Sequence, residues 1–161
     1  MSKIDFKPNL IKIKQAILFC IEQNGDGINI YNLNKIFFEA DKYHLNMYGR
    51  PVTGDVYIAM KNGTVPSKTR DMINSFKKEG HFIFSDEKFD KDLLSDSDIE
   101  ALLKGFEKYA GLVFCEVENL NHEELSWKKT PLNQVIDFEL MIENEDIKDY
   151  IQELGPLKIV V

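Results

Sequence analysis

Residues 37–72 read FFEADKYHLNMYGRPVTGDVYIAMKNGTVPSKTRDM, and this stretch decides the fold. A helical run ends near Tyr48. Gly49-Arg50-Pro51 breaks it, and Thr53-Gly54-Asp55 breaks the chain again. A short apolar run, Val56 to Met60, leads into a tight loop, Asn62-Gly63-Thr64-Val65-Pro66, and Ser67 opens another helix. Breakers placed between apolar segments specify a sharply folded hub rather than a linker. Glycine supplies corners that need a positive φ, and proline fixes φ near −65°.

Upstream, Asn9 stands as an N-cap before Leu10, Ile13, Ile17, Leu18 and Ile21, an i, i+3/i+4 stripe that stops at Gly25-Asp26-Gly27. A second helix runs from about Ile30 to Tyr48, with Leu33, Ile36, Phe37, Ala40 and His44 on one face. The short connection predicts that these two helices pack antiparallel.

Downstream, a helix is expected from Ser67 to Phe76, ended by Gly80. Aromatic and β-branched residues around a polar turn suggest a small hairpin around residues 81–90, lying on the helices. Ser97 and Glu100 have capping-box spacing ahead of Ile99, Leu102, Leu103, Phe106 and Ala110. A shorter helix over about 112–118 follows, then one over 122–128 capped by Asn121 with Glu124 at N3. A short segment after Asp137 and a last helix from Glu145 to Leu154, stopped by Gly155-Pro156, complete the body. The apolar tail, residues 155–161, reads either as an ordered end packed on the body or as a strand offered to a partner. The expected fold class is mainly α: a compact single-domain multi-helix bundle with one small β-hairpin and a core over about 10–153.

The composition bounds the function. A chain of 161 residues with 43% hydrophobic and 29% charged residues is the size and make-up of one soluble domain. No apolar run reaches the roughly 20 residues of a membrane span. Met1 to Asp5 lacks a signal-peptide pattern, and Cys20 and Cys115 form no disulfide or zinc framework, so a reducing cytoplasm is expected. Charge is uneven: residues 1–80 hold 12 basic against 8 acidic side chains, and residues 81–161 hold 8 against 19. An acidic half disfavours direct nucleic-acid binding, which draws affinity from neutralised phosphates, and suits a basic protein partner.

Few residues carry a candidate chemistry. Asp41 and His44 are three apart on a helix, so their side chains are expected to meet. They form either a catalytic pair or a buried His held by a carboxylate. His81 and His122 add no metal-ligand spacing. Lys61, Lys68 and Arg70 around Gly63 could suggest a phosphate cradle, but no P-loop or dinucleotide fingerprint is present. Tyr48, Arg50 and Tyr57, with Lys61, are candidate partner contacts, because Tyr and Arg are enriched at interfaces. No nucleophile elbow, metal cluster or nucleotide loop emerges, so no cofactor is expected.

The motifs A-D-K-Y-H-L (40–45), Y-G-R-P-V-T-G-D (48–55) and A-M-K-N-G-T-V-P-S (59–67) resemble the SocA-like Panacea antitoxin domain. Leu94-Ser95-Asp96 with Ile99 to Leu102, and His122-Glu123-Glu124 with Trp127, resemble two further motifs of that family. The family's GPVP is Gly63-Thr64-Val65-Pro66 here. The resemblance implies a non-enzymatic antitoxin that binds a cognate protein toxin, encoded nearby and bearing a basic surface. Tyr48, Arg50, Tyr57, Lys61, Glu123 and Glu124 would be the contacts, and Asp41, His44, Gly49, Pro51, Gly63, Pro66 and Trp127 the structural hub. The alternatives are a proteolytic adaptor delivering a toxin to a protease, and a hydrolase built on Asp41, His44 and His122.

Overall fold

The computed structural model describes residues 4–154 and the backbone of 159–160. In chain order the elements are β1 (Phe6–Lys7), α1 (Leu10–Asn24), β2 (Ile28–Asn29), α2 (Ile30–Tyr48), β3 (Tyr57–Met60), β4 (Gly63–Pro66), α3 (Ser67–Ile73), β5 (Lys77–Glu79) and β6 (Phe82–Phe84). They continue with α4 (Asp96–Tyr109), α5 (Phe114–Asn121), α6 (Leu125–Lys128), α7 (Glu145–Glu153) and β7 (Ile159–Val160). The mainly α expectation holds.

The local signals at the first two helices are obeyed. Asn9 accepts from the Lys12 N–H at 3.1 Å, and α1 ends on Gly25. Asn29 accepts from the Tyr31 N–H, and α2 ends at Gly49, whose φ of 83° is a left-handed C-cap suited to glycine. α2 is the axis of the molecule. Leu33, Ile36, Phe37, Phe38 and Leu45 along it are all 0% exposed. Burying each such side chain contributes about 1.5–3 kcal/mol. The main helical partner of α2 is α4, not α1, and β4, α5 and α7 also lie against it. The antiparallel α1–α2 pairing is therefore not the organising contact. Gly105 shows why α4 wins that place: a Cβ there would come within 2.3 Å of the Ile36 carbonyl oxygen, so only glycine admits so close an approach.

The small sheets differ from expectation. β3 and β4 form an antiparallel hairpin in the register Tyr57↔Pro66 to Met60↔Gly63, which the sequence reading treated as a run and a loop. Residues 133–136 line the free edge of β3, with Ile136 N–H donating to the Tyr57 carbonyl at 2.8 Å. The second hairpin is β5–β6, residues 77–84, turning at Gly80, so it starts upstream of the expected 81–90 span and shares Phe82–Phe84 with it. α3 stops at Ile73, earlier than expected, which frees Lys77 to Glu79 to become its first strand. β2 pairs with β6 and ties this hairpin to the body.

Two caps also move. The box at α4 is Ser95 with Asp98, not Ser97 with Glu100: Ser95 Oγ accepts from the Asp98 N–H, and the Asp98 carboxylate accepts from the Ser95 N–H, each at 3.0 Å. Asn121 does not open a helix. It ends α5, is 0% exposed, and accepts from the Thr64 N–H at 2.8 Å, and Glu124 precedes the short α6. The expected segment after Asp137 is a single 3-10 turn, Phe138–Met141. In the tail, Ile159 and Val160 pair in parallel with Phe6 and Lys7. The stop at Gly155-Pro156, and Leu157, Lys158 and Val161, lie outside the described residues.

Candidate partner-binding surface

The turns after α2 are held by side chains rather than by regular structure. Asp41 is 0% exposed and accepts from the Thr53 N–H at 2.7 Å, the Thr53 hydroxyl at 2.6 Å and the Tyr57 hydroxyl at 2.6 Å. Burial raises its carboxyl to about 6 against the opposing pull of those donors. Thr53 Oγ1 in turn accepts from the Asp55 N–H. Asp55, also 0% exposed, accepts from the N–H groups of Lys68 and Thr69 and from the Thr69 hydroxyl. It thereby caps α3 across the turn, where Pro66 offers no capping side chain. Those two N–H groups are the ones a phosphate at the Gly63 loop would have needed, so the cradle reading fails.

Asp41 and His44 do not form a pair. His44 Nδ1 donates to the Arg50 carbonyl at 2.6 Å, which fixes the neutral tautomer, and Nε2 accepts from the Ser97 hydroxyl at 2.8 Å. Burial lowers the His44 pKa, so the ring stays neutral near pH 7. Asp98 beneath it binds Arg50 Nη1 at 3.0 Å and Lys12 Nζ at 2.8 Å. Burial raises the Asp98 carboxyl, but the Lys12 and Ser95 hydrogen bonds and the Arg50 charge more than offset this and hold it below the usual range. His122 stacks on Trp127 at 3.9 Å and is not partnered with either Asp41 or His44. The three groups of the hydrolase alternative thus have separate partners.

The hub residues occupy structural corners. Pro51 and Pro66 are buried, and Trp127 Nε1 donates to the Met60 carbonyl at 2.9 Å. Gly63 has φ 121°, and a Cβ there would come within 2.2 Å of Asn121 Oδ1. The proposed contacts divide. Tyr48 is 45% exposed, Arg50 is half-buried, and Lys61 and Glu123 are exposed. Tyr57 is 1% exposed, so it is an interior residue and not a surface contact. Glu124 is 7% exposed and holds Lys42 at 2.7 Å and Lys108 at 3.6 Å, which removes it from the available acidic surface. Neighbouring residues alone could not tell Glu123 from Glu124, because the cationic partners of Glu124 come from α2 and α4.

Sequence reasoning passed over other residues of this surface. Glu100 accepts from both the Tyr43 and Tyr48 hydroxyls, at 2.8 and 3.0 Å, and these bonds lower its pKa. Tyr150 is 54% exposed, although its spacing from Ile147 and Ile151 places it beside the apolar stripe of α7. An open groove of about 760 Å³ between the end of α1 and the β5–β6 hairpin carries charges of both signs, among them Lys14, Glu22, Lys77 and Glu87. Among the described residues, no helix is long and apolar enough to cross a membrane, and no group of three or more His, Cys, Asp or Glu side chains could hold a metal ion.

Comparison with known proteins gives one match. A family model described as an antitoxin SocA-like, Panacea domain covers residues 33–128, which span α2 to α6. No curated protein and no solved structure matches the chain.

Proposed function

The chain belongs to the SocA-like Panacea antitoxin family, and on that premise we propose that it neutralises a cognate protein toxin by direct binding in the cytoplasm. The scaffold is built on the packing of α2 against α4, and buried carboxylates hold the turns behind α2, so the motif residues Asp41, His44, Gly49, Pro51, Gly63 and Pro66 serve the shape of the fold. Contact with the toxin falls to the side chains left outside: Tyr48, Arg50, Lys61 and Glu123.

The observation that carries this reading is the family match over the whole central scaffold, together with the acidic surface of the second half of the chain. A toxin that acts on nucleotides or RNA needs a basic active-site surface, which an acidic partner complements. Binding that covers this surface would occlude it.

The test is growth of cells expressing the adjacent open reading frame, with and without this protein. Arrest relieved by this protein, with a stable complex of the two purified chains, is the expected result. Arrest that persists in its presence would overturn the reading. Disappearance of the partner only when this chain and a protease are both present would assign the adaptor role instead.

A further inference from the structure

Two exposed tyrosines flank the end of α2, one on α2 itself and one on α7. Tyr48 and Tyr150 are 45% and 54% exposed. Tyr150 lies over Gly49, where a Cβ would be 3.6 Å from two of its ring carbons. Tyr43 and Tyr48 share the Glu100 carboxylate, and the Tyr48 ring also rests on His44, with centroids 4.7 Å apart. Met47, 54% exposed, lies one turn from Tyr43 on α2. α7 is fixed against α2 by Asn46, which accepts from the Glu143 and Asn144 N–H groups at 2.6 and 3.0 Å. The Tyr43 and Tyr48 hydroxyls are already held by Glu100, which lowers the entropic cost of binding those rings. Exposed Tyr and Met grouped together are the composition of an interface centre.

The border of this cluster is mainly acidic. α7 carries Glu145, Asp146, Asp149 and Glu153 against the single Lys148, and Glu100 stands beside two of the tyrosines. The nearby cations are already engaged: Arg50 and Lys12 by Asp98, and Lys42 by Glu124 and Glu143. Lys104 lies 6.0 Å above the Tyr43 ring, and its charge also acts on Glu100. α7 lies outside the matched family region, residues 33–128, so the surface joins the end of α2, inside that region, to an element beyond it.

We propose that the Tyr48–Tyr150 surface docks a cationic amphipathic segment of a partner protein. An apolar or aromatic side chain of that segment sits on the two tyrosines and Met47. Lysine or arginine side chains on either side reach Glu100, Asp146 and Asp149. This assigns the face and the partner chemistry within the antitoxin reading, and it rests on that reading only for the partner's being a toxin.

The test uses the full ¹⁵N-labelled chain and three synthetic helical or flexible peptides. One is an amphipathic peptide of Leu, Lys and Arg with a central Trp, the second has Glu at every cationic position, and the third is a polar Gly/Ser/Arg peptide of equal charge to the first. The first peptide is expected to shift amide signals of residues 46–50 and 146–151 and to bind at least tenfold more tightly than the others. Tyr150→Ser, and separately Asp146→Lys with Asp149→Lys, are expected to weaken it at least tenfold with melting temperature unchanged. Shifts centred elsewhere, for example at Val113 and Phe114, would overturn the assignment. So would equal binding of the acidic or polar peptide, or concentration-dependent shifts at these residues without peptide, which would mean a second copy of this chain. Failure here with toxin relief intact removes this surface alone, and loss of toxin relief with peptide binding intact removes the antitoxin reading alone.

Discussion

The Tyr57 hydroxyl donates to the Asp41 carboxylate across 2.6 Å, and both side chains are closed to solvent. This bond ties β3 to the middle of α2 and sets the direction of the chain after the Tyr48–Asp55 turns. It also makes a residue of the family-like A-D-K-Y-H motif a stabilising element.

Asp41 gives the fold a pH dependence with a definite sign. Its folded pKa is raised by burial from 3.8 to about 6, so between these values the native state keeps a proton that the unfolded chain releases. Stability therefore falls as pH rises from about 4 to about 6, by about 3 kcal/mol at roughly 1.4 kcal/mol per unit. Asp41→Asn is expected to flatten this slope in urea denaturation curves measured from pH 4 to 7. An unchanged slope would show that another group carries it.

Lys35 predicts the opposite trend at higher pH. It is 0% exposed, donates to the Thr64 carbonyl at 2.9 Å and lies 4.3 Å from the centre of the Tyr31 ring. Burial lowers its pKa to about 7, partly opposed by Glu118. Between about 7 and 10.5 the unfolded chain binds a proton that the native state does not, so stability rises with pH in that window. Lys35→Met should remove the rise and change stability at pH 7 by no more than about 1–2 kcal/mol, since an apolar side chain of similar length relieves the buried charge. Thermal melts at pH 7 and 9 make the comparison.

Close approaches at two glycines should be costly to alter. Gly105→Ala would place a methyl group 2.3 Å from the Ile36 carbonyl oxygen and push α4 off α2. Gly63→Ala adds left-handed strain to a contact of 2.2 Å with Asn121 Oδ1. Each is expected to destabilise by about 1–3 kcal/mol or more. Chemical denaturation reads both, and a change under 0.5 kcal/mol in either would contradict the packing described.

Glu123 and Glu124 separate surface from structure. Glu124→Lys removes the carboxylate shared by Lys42 and Lys108 and adds a third positive charge, so a loss of about 3–5 kcal/mol is expected. Glu123→Lys should leave the melting temperature within a degree or two and act only on partner affinity and its salt dependence. Circular dichroism melts of the two single variants suffice, and equal behaviour would refute the distinction.

Sequence alone settled what depends on neighbours in the chain. The bounds of α1 and the end of α2 follow from Asn9, Gly25 and Gly49, because caps and left-handed corners act within one helical turn. The apolar stripe of α4 and the mainly α class follow from periodicity for the same reason. Tertiary structure alone decided the rest, because the deciding partners are distant. Asp41 turned to Thr53 and Tyr57 instead of His44, and His44 turned to Ser97, 53 residues away. Glu124 was buried by lysines on α2 and α4. The strands paired over 57–66 and 77–84 because a backbone with exposed N–H and C=O groups takes whichever edge the packed helices bring to it. Such choices are energy differences between competing partners, and only the assembled core makes one of them cheaper.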